Sequence, residues 1–401
     1  MATLPPSGRA AIPRTVWALG FVSMFMDISS EIIHALLPLF LTTTLGVSVA
    51  VVGLIDGIAE ATASITKVFS GYISDRMGKR KPLILIGYGL GALSKPFFAL
   101  AGSALMILGA RFADRIGKGL RGAPRDALVA DVTPQAIRGR AFGLRQSLDT
   151  IGAFAGPLLA MLLMAAFADD IRQVFWIAVI PAVLAVLFVV IGVAEPQRPT
   201  QPGSRRAPVR FMELRKLDRS FWTVVTIGVI FALARFSEAF LILKASAEGL
   251  PLTFAPAVLF VMNIVYALGA YPAGIASDRL PARLLLSWGL LVLILADLAI
   301  ALISGLVGVF AGIALWGLHM ALTQGLMAKL VADRAPPELR GSAFGMFNLA
   351  TGVAMLGASV LAGLLWDKIG ANATFLAGAG FAAIALFGLM RYRQTFDAVA
   401  P

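Results

Sequence analysis

Twelve stretches of this chain are apolar over about the 20 residues that an α-helix needs to cross the hydrocarbon core of a bilayer. They run over 15–45, 50–73, 82–100, 103–130, 139–165, 173–194, 220–246, 253–275, 284–303, 306–332, 343–366 and 372–391. In lipid no water serves the backbone, so each stretch must satisfy its own N–H and C=O groups, which a helix does. Of the 401 residues 59% are hydrophobic and 14% charged, against about 25% charged in a soluble protein. A water-facing fold could not hide that much apolar surface. The predicted class is therefore an all-α integral membrane protein with 12 transmembrane helices. One longer hydrophilic segment, 195–219, is expected to be a linker between a six-helix bundle at 1–194 and another at 220–401.

The net charge of +12 could suggest nucleic acid, but its placement says otherwise. With the N-terminus inside, 21 Lys and Arg fall in cytoplasmic segments and only Arg172 and Lys368 on the other side. That asymmetry is the positive-inside signal. It predicts a multi-pass protein of a bacterial-type inner membrane with both termini cytoplasmic, a lipid partner and no nucleic acid. The polar, Pro-containing start MATLPPSGRAAIPR does not read as a cleavable signal peptide. The absence of Cys excludes disulfides and thiolate metal sites, and two His exclude a His-rich one. GKGLRG at 117–122 lacks the spacing of a phosphate-binding loop. Neither ATP hydrolysis nor another enzyme activity is expected.

The halves repeat. GYISDRMG at 71–78 returns as GIASDRLP at 274–281, and ADVTPQAIRGRAFG at 130–143 as ADRAPPELRGSAFG at 332–345. Offsets of 203 and 202 residues mark a duplicated six-helix unit, a transporter architecture. These residues resemble the major facilitator superfamily. Gly71-Tyr-Ile-Ser-Asp75-Arg76-Met-Gly78-Lys79-Arg80-Lys81 is similar to that family's loop between helices 2 and 3, with a degenerate copy from Gly274 to Pro281 that holds Asp278 and Arg279. Arg111, Gly117 and Gly119 resemble its helix 4 motif. Gly152-Ala-Phe-Ala-Gly156-Pro157-Leu-Leu-Ala160 resembles its antiporter motif in helix 5, with Ala160-Met161 where the family tends to have a glycine pair. The resemblance implies two pseudo-symmetric bundles, alternating access and export by exchange. Gly152, Gly156 and Pro157 would pack or bend helix 5. Asp75, Arg76 and Lys79 would form a conformational latch with Asp131.

Charges inside the spans point to the site. An unpaired charge at mid-bilayer costs roughly 2.5–3.5 kcal/mol, so these must pair, reach an interface or line water. At 100° per residue, Arg111, Asp114, Arg115, Lys118, Arg121 and Arg125 share one face of the fourth span. Asp27, Glu31 and His34 share a face of the first, and Asp56, Glu60 and Lys67 one of the second. The expectation is that acidic helix 1 opposes basic helix 4 across an aqueous cavity. Arg235-Phe-Ser-Glu238 in the seventh span echoes the Ser-Glu of the first. Burial lets a carboxylate exchange protons near neutral pH, so Asp27, Glu31, Asp56, Glu60 and Glu238 are candidates for proton coupling. His34, Arg111, Asp114, Arg115, Lys118, Arg121, Arg235 and Asn263 are candidates to line the substrate cavity. Lys95 is expected near the outer end of its helix, and Lys67 and Lys244 at an interface.

The expected function is proton-coupled efflux of a small organic solute by a monomer that needs no cofactor beyond the proton gradient. Two other readings remain: organic-anion uptake or exchange, and divalent metal export through Asp27, Glu31 and His34, with Glu and His at i, i+3.

Overall fold

A computed structural model describes residues 11–77, 79–195, 217–335 and 339–391. Six helices form the first half: α1 (Arg14–Leu39), α2 (Val49–Met77), α3 (Lys81–Leu100), α4 (Ala104–Val132), α5 (Arg138–Ala166) and α6 (Ile171–Gly192). The second half comprises α7 (Arg219–Ala234), α8 (Ala239–Ala247), α9 (Ala257–Arg279), α10 (Ala282–Leu302), α11 (Gly305–Arg334), α12 (Arg340–Lys368) and α13 (Ala371–Arg391). Eleven of the described segments are long and apolar enough to cross a membrane. The twelfth, α4, is 29 residues long but too charged to be recognised by hydropathy. An even number of crossings returns the described chain to its starting side, here called the terminal side.

The seventh crossing departs from expectation. It was expected as one helix over 220–246, but α7 ends at Ala234 and α8 begins at Ala239. The backbone between them is satisfied by side chains: Ser237 N–H donates to Ser359 Oγ (3.2 Å), and Ala239 N–H donates to Ser237 Oγ (3.1 Å). Phe236 wedges the break open by burying its ring against Phe240, Trp316 and Phe375, each centroid 5.4 Å away. A broken helix is tolerated at membrane depth only where protein or an aqueous cavity covers it.

The halves meet along α2 and α12 and along α5 and α9. Glycine makes the first seam possible. A Cβ at Gly53 would lie 2.2 Å from the carbonyl oxygen of Ser359, and one at Gly363 would lie 2.6 Å from the Cα of Ala50. On the side away from the termini, Asp367 of α12 caps α2 by accepting from the N–H groups of Val49 (3.2 Å) and Ala50 (2.9 Å). Thr253 also donates to Asp169 across the halves (2.7 Å). The last turns of α1 pack on α8, with Ile32, Leu36, Phe240 and Leu241 fully buried. The far side is thus closed.

Candidate functional site

A cavity of about 210 Å³ lies where α1, α2, α4 and the α7–α8 break converge. Of the sequence candidates, Glu31, His34, Asp56, Glu60, Arg111, Arg115, Lys118, Arg235, Glu238 and Asn263 line it. Asp27, Asp114 and Arg121 are not among its lining residues. Asp27 sits against α5, where a Cβ on Gly152 would come within 2.9 Å of its own Cβ. Asp114 turns toward α3 and pairs with Lys95 at 2.9 Å and Arg115 at 3.3 Å. Arg121 stacks over the Tyr88 ring, 4.6 Å from its centroid.

Glu31 and His34 of α1 face the same cavity as Arg111, Arg115 and Lys118 of α4, as expected, but the ion pairs run to another helix. The cations of α4 are matched by α2: Arg111 to Asp56 through Nε (3.3 Å) and Nη2 (3.0 Å), and Arg115 to Glu60 (3.2 Å). The reason is that α2 packs directly along α4, whereas α1 meets α4 over a much shorter stretch and packs chiefly on α5 and α6. Lys95 also differs. It is 1% exposed and donates to Asp114 and Ser30, because Gly87 and Gly117 bring α3 and α4 together. Lys244 is likewise buried and held by Glu248 (2.6 Å) and Asn372 (2.9 Å), while Lys67 is exposed as expected. Asp297 in α10 is fully buried, and neither oxygen meets a hydrogen-bond partner among the described residues.

Asp56 joins the halves inside the cavity: Ser237 Oγ donates to its second oxygen at 2.7 Å. Arg235 pairs with Glu238 at 3.6 Å, and Asn263 donates to the Ala153 carbonyl at 3.1 Å. Once these pairs are matched, two charged cavity residues remain without an ion-pair partner among the described residues: Glu31 and Lys118. Gly156 is what lets α5 close on Glu31, since a Cβ there would lie 2.5 Å from that of Glu31. Pro157 follows inside α5 without ending the helix. Among the described residues no three His, Asp or Glu side chains gather as a metal site, which removes the structural basis for a cation held by Asp27, Glu31 and His34.

At the terminal-side end, Asp131 pairs with Arg80 (3.5 Å) rather than with the exposed Lys79. Glu195 accepts from the N–H groups of Arg80 and Lys81 and so caps α3. Gly78 and the side chains at Gly71, Asp75, Arg76 and Asp278 lie outside the described residues; Arg279 ends α9 and is exposed.

Sequence reasoning missed a second chamber, of about 280 Å³, that continues from the cavity between α7, α11 and α12. Glu60 and Arg235 line both spaces, joined here by His319, Gln324, Phe231 and Phe347. It reaches Met327, seven residues or about 10 Å from the end of α11, and so leads toward the terminal side. The signal was present. Trp316, His319, Thr323 and Met327 recur at helical spacing, with one of only two His in the chain.

Comparison with known proteins agrees with this architecture. The Major Facilitator Superfamily model matches residues 19–358 and 246–398. An uncharacterised MFS-type transporter of Methanocaldococcus jannaschii is 31% identical over 93% of this chain and 93% of its own. The multidrug resistance protein MdtH of Photorhabdus laumondii is 28% identical over 86% of this chain and 84% of its own. The crystal structure of a bacterial homologue of the human lysosomal transporter Spinster superposes with a TM-score of 0.75 at 17% identity, covering 96% of this chain and 98% of that one. A duplicated helical bundle, a charged cavity at its centre and these matches across the length lead to one assignment: the chain belongs to the Major Facilitator Superfamily and is a multi-pass membrane transporter.

Proposed function

We propose that this transporter exports a small organic solute in exchange for protons, with Glu31 as the principal proton carrier. The observation that carries the reading is the charge matching of the cavity. Asp56, Glu60 and Glu238 each face a fixed cation, whereas Glu31 has none among the described residues. A carboxylate free of a fixed partner can exchange a proton for cargo without first breaking an ion pair. Export is favoured by the Gly152–Ala160 resemblance to the antiporter motif and by the similarity to the multidrug resistance protein MdtH. The proton gradient is the energy source in this reading, and the protein works as a monomer in a bacterial-type inner membrane.

With the termini in the cytoplasm, a closed far side and a chamber leading to the terminal side describe an inward-open state. The 1–194 and 220–401 bundles then rock about the α2–α12 and α5–α9 seams. Asp56, Glu60 and Glu238 enter the proton path when their pairs rearrange. Arg80 and Asp131, with Asp75, Arg76 and Lys79, act as a latch that holds one state and releases in the other.

One observation favours a second reading. Lys118 faces the cavity without a carboxylate partner among the described residues and could receive an organic anion. Proteoliposomes containing the full chain separate the two. Labelled organic cations, neutral compounds and anions are screened with and without an imposed pH gradient. Efflux coupling requires gradient-driven accumulation that Glu31→Gln abolishes while counterflow exchange persists. Accumulation that ignores the gradient in the wild type would refute proton coupling. Loss of anion transport alone in Lys118→Gln would establish the second reading.

A further inference from the structure

The chamber beyond the charged cavity has a chemistry of its own. Its walls bring the apolar side chains of Phe231 of α7, Phe347 of α12, Met327 and Met355 together with the polar ones of Glu60, Ser64, Arg235, His319, Thr323, Gln324 and Thr351. Most of those are already engaged. Thr323 Oγ1 donates to the His319 carbonyl and Thr351 Oγ1 to that of Phe347, both at 2.8 Å within their own helices. Gln324, in the amide orientation that satisfies its neighbours, donates to the Tyr266 hydroxyl (3.3 Å) and accepts from Arg235 (3.1 and 3.2 Å).

His319 is the exception. It is 1% exposed, and its Nδ1 lies 2.8 Å from the carbonyl oxygen of Gly289. A carbonyl only accepts, so Nδ1 carries the proton, and Nε2 of the neutral ring is a hydrogen-bond acceptor. That Nε2 meets no hydrogen-bond partner among the described residues. Leaving a buried polar group unsatisfied costs about 1–3 kcal/mol. The ring is also fixed in orientation, stacked on Phe231 with centroids 6.2 Å apart and planes at 21°. Phe347 packs against α7 itself, where its ring fills the place of a side chain at Gly228. The result is a chamber with aromatic side chains in its wall, where the buried acceptor His319 Nε2 lacks a donor among the described residues.

We propose that this chamber seats the aromatic body of the solute, and that the solute carries a hydroxyl or N–H group which donates to His319 Nε2. The inference rests on the transport reading above and narrows its cargo to hydroxylated or amino-bearing aromatic compounds. About 280 Å³ is at the small end of ligand sites, which span roughly 300–1,000 Å³. One ring or two fused rings fit better than a large polycyclic drug.

The test is a matched pair of probes, 2-naphthol and 2-methoxynaphthalene, which differ by the donor hydrogen and one methyl. Binding to the purified full chain is measured by equilibrium dialysis against detergent-only blanks, without any gradient. The wild type should bind the naphthol roughly tenfold more tightly, the worth of one hydrogen bond to an otherwise orphaned group. His319→Leu should erase that preference, whereas His319→Gln, which keeps an acceptor, should retain part of it. Phe231→Ala should weaken both probes. Equal wild-type affinity for the two, a preference that survives His319→Leu, or no binding of either overturns the proposal. If His319→Leu does not fold, the wild-type comparison and His319→Gln decide alone. Failure of proton coupling would leave this binding preference intact, so the two claims fail separately.

Discussion

Breaking the Asp56–Arg111 pair should cost more than breaking and removing it. Both side chains are at least 95% buried, and they meet through two hydrogen bonds, the shorter 3.0 Å. At that distance and an effective dielectric of about 20, the attraction is about 5 kcal/mol. Arg111 has no second carboxylate partner among the described residues. Asp56→Asn therefore leaves a buried guanidinium uncompensated, with a loss of about 3–5 kcal/mol, and Arg111→Met strands the carboxylate at similar cost. The double variant leaves no buried charge and should recover to within about 1–2 kcal/mol of the wild type, because a neutral pair avoids the desolvation penalty. Denaturant titration in mixed micelles on all four proteins closes the cycle. Singles that add in the double variant would show that the pair is not energetically coupled and refute the account of how α2 neutralises α4.

Two other expectations follow from contacts outside the cavity. Asp367 of α12 caps the N-terminus of α2 in the other half. Its replacement by Ala should cost about 1 kcal/mol and loosen the far-side closure. Because the chain contains no Cys, single cysteines placed along the cavity report this by maleimide labelling from each face; labelling unchanged by Asp367→Ala would contradict that role. Glu248 is hydrogen-bonded by Lys244 and by the Gly305 N–H, which hold its carboxyl below the ordinary range. A lowered folded-state pKa contributes stability above the ordinary value, near pH 4, that is lost as pH falls through the lowered one. The melting temperature of the wild type should therefore converge on that of Glu248→Gln below about pH 4, and a constant gap would count against it.

Much of this protein is set locally and is legible from one dimension. Apolar length specifies helices, because a spanning segment in lipid has no other way to satisfy its backbone. The recurrence of SDR and of Arg-Gly near a constant offset specifies duplication, and with it the family. Even α4, invisible to hydropathy, is marked by charges that recur on one helical face. The polar stripes on the first, second and fourth spans likewise name half of the residues that line the cavity.

What periodicity could not supply is the partner of each face. Arg111 and Arg115 had carboxylates available on two helices, and only the packing of α2 along α4 selected Asp56 and Glu60 over Asp27 and Glu31. The same packing left Glu31 without a fixed cation. The break at Arg235–Glu238 was hidden for a related reason. Its residues, Arg-Phe-Ser-Glu, include no Gly or Pro to mark an interruption, and the Ser359 hydroxyl that accepts from Ser237 N–H, like the aromatic cluster around Phe236, comes from elsewhere in the fold. Secondary structure in a bilayer follows from the local cost of an unsatisfied backbone. Which buried charges pair, and which stay free to exchange, depends on distances between helices that only their three-dimensional packing determines.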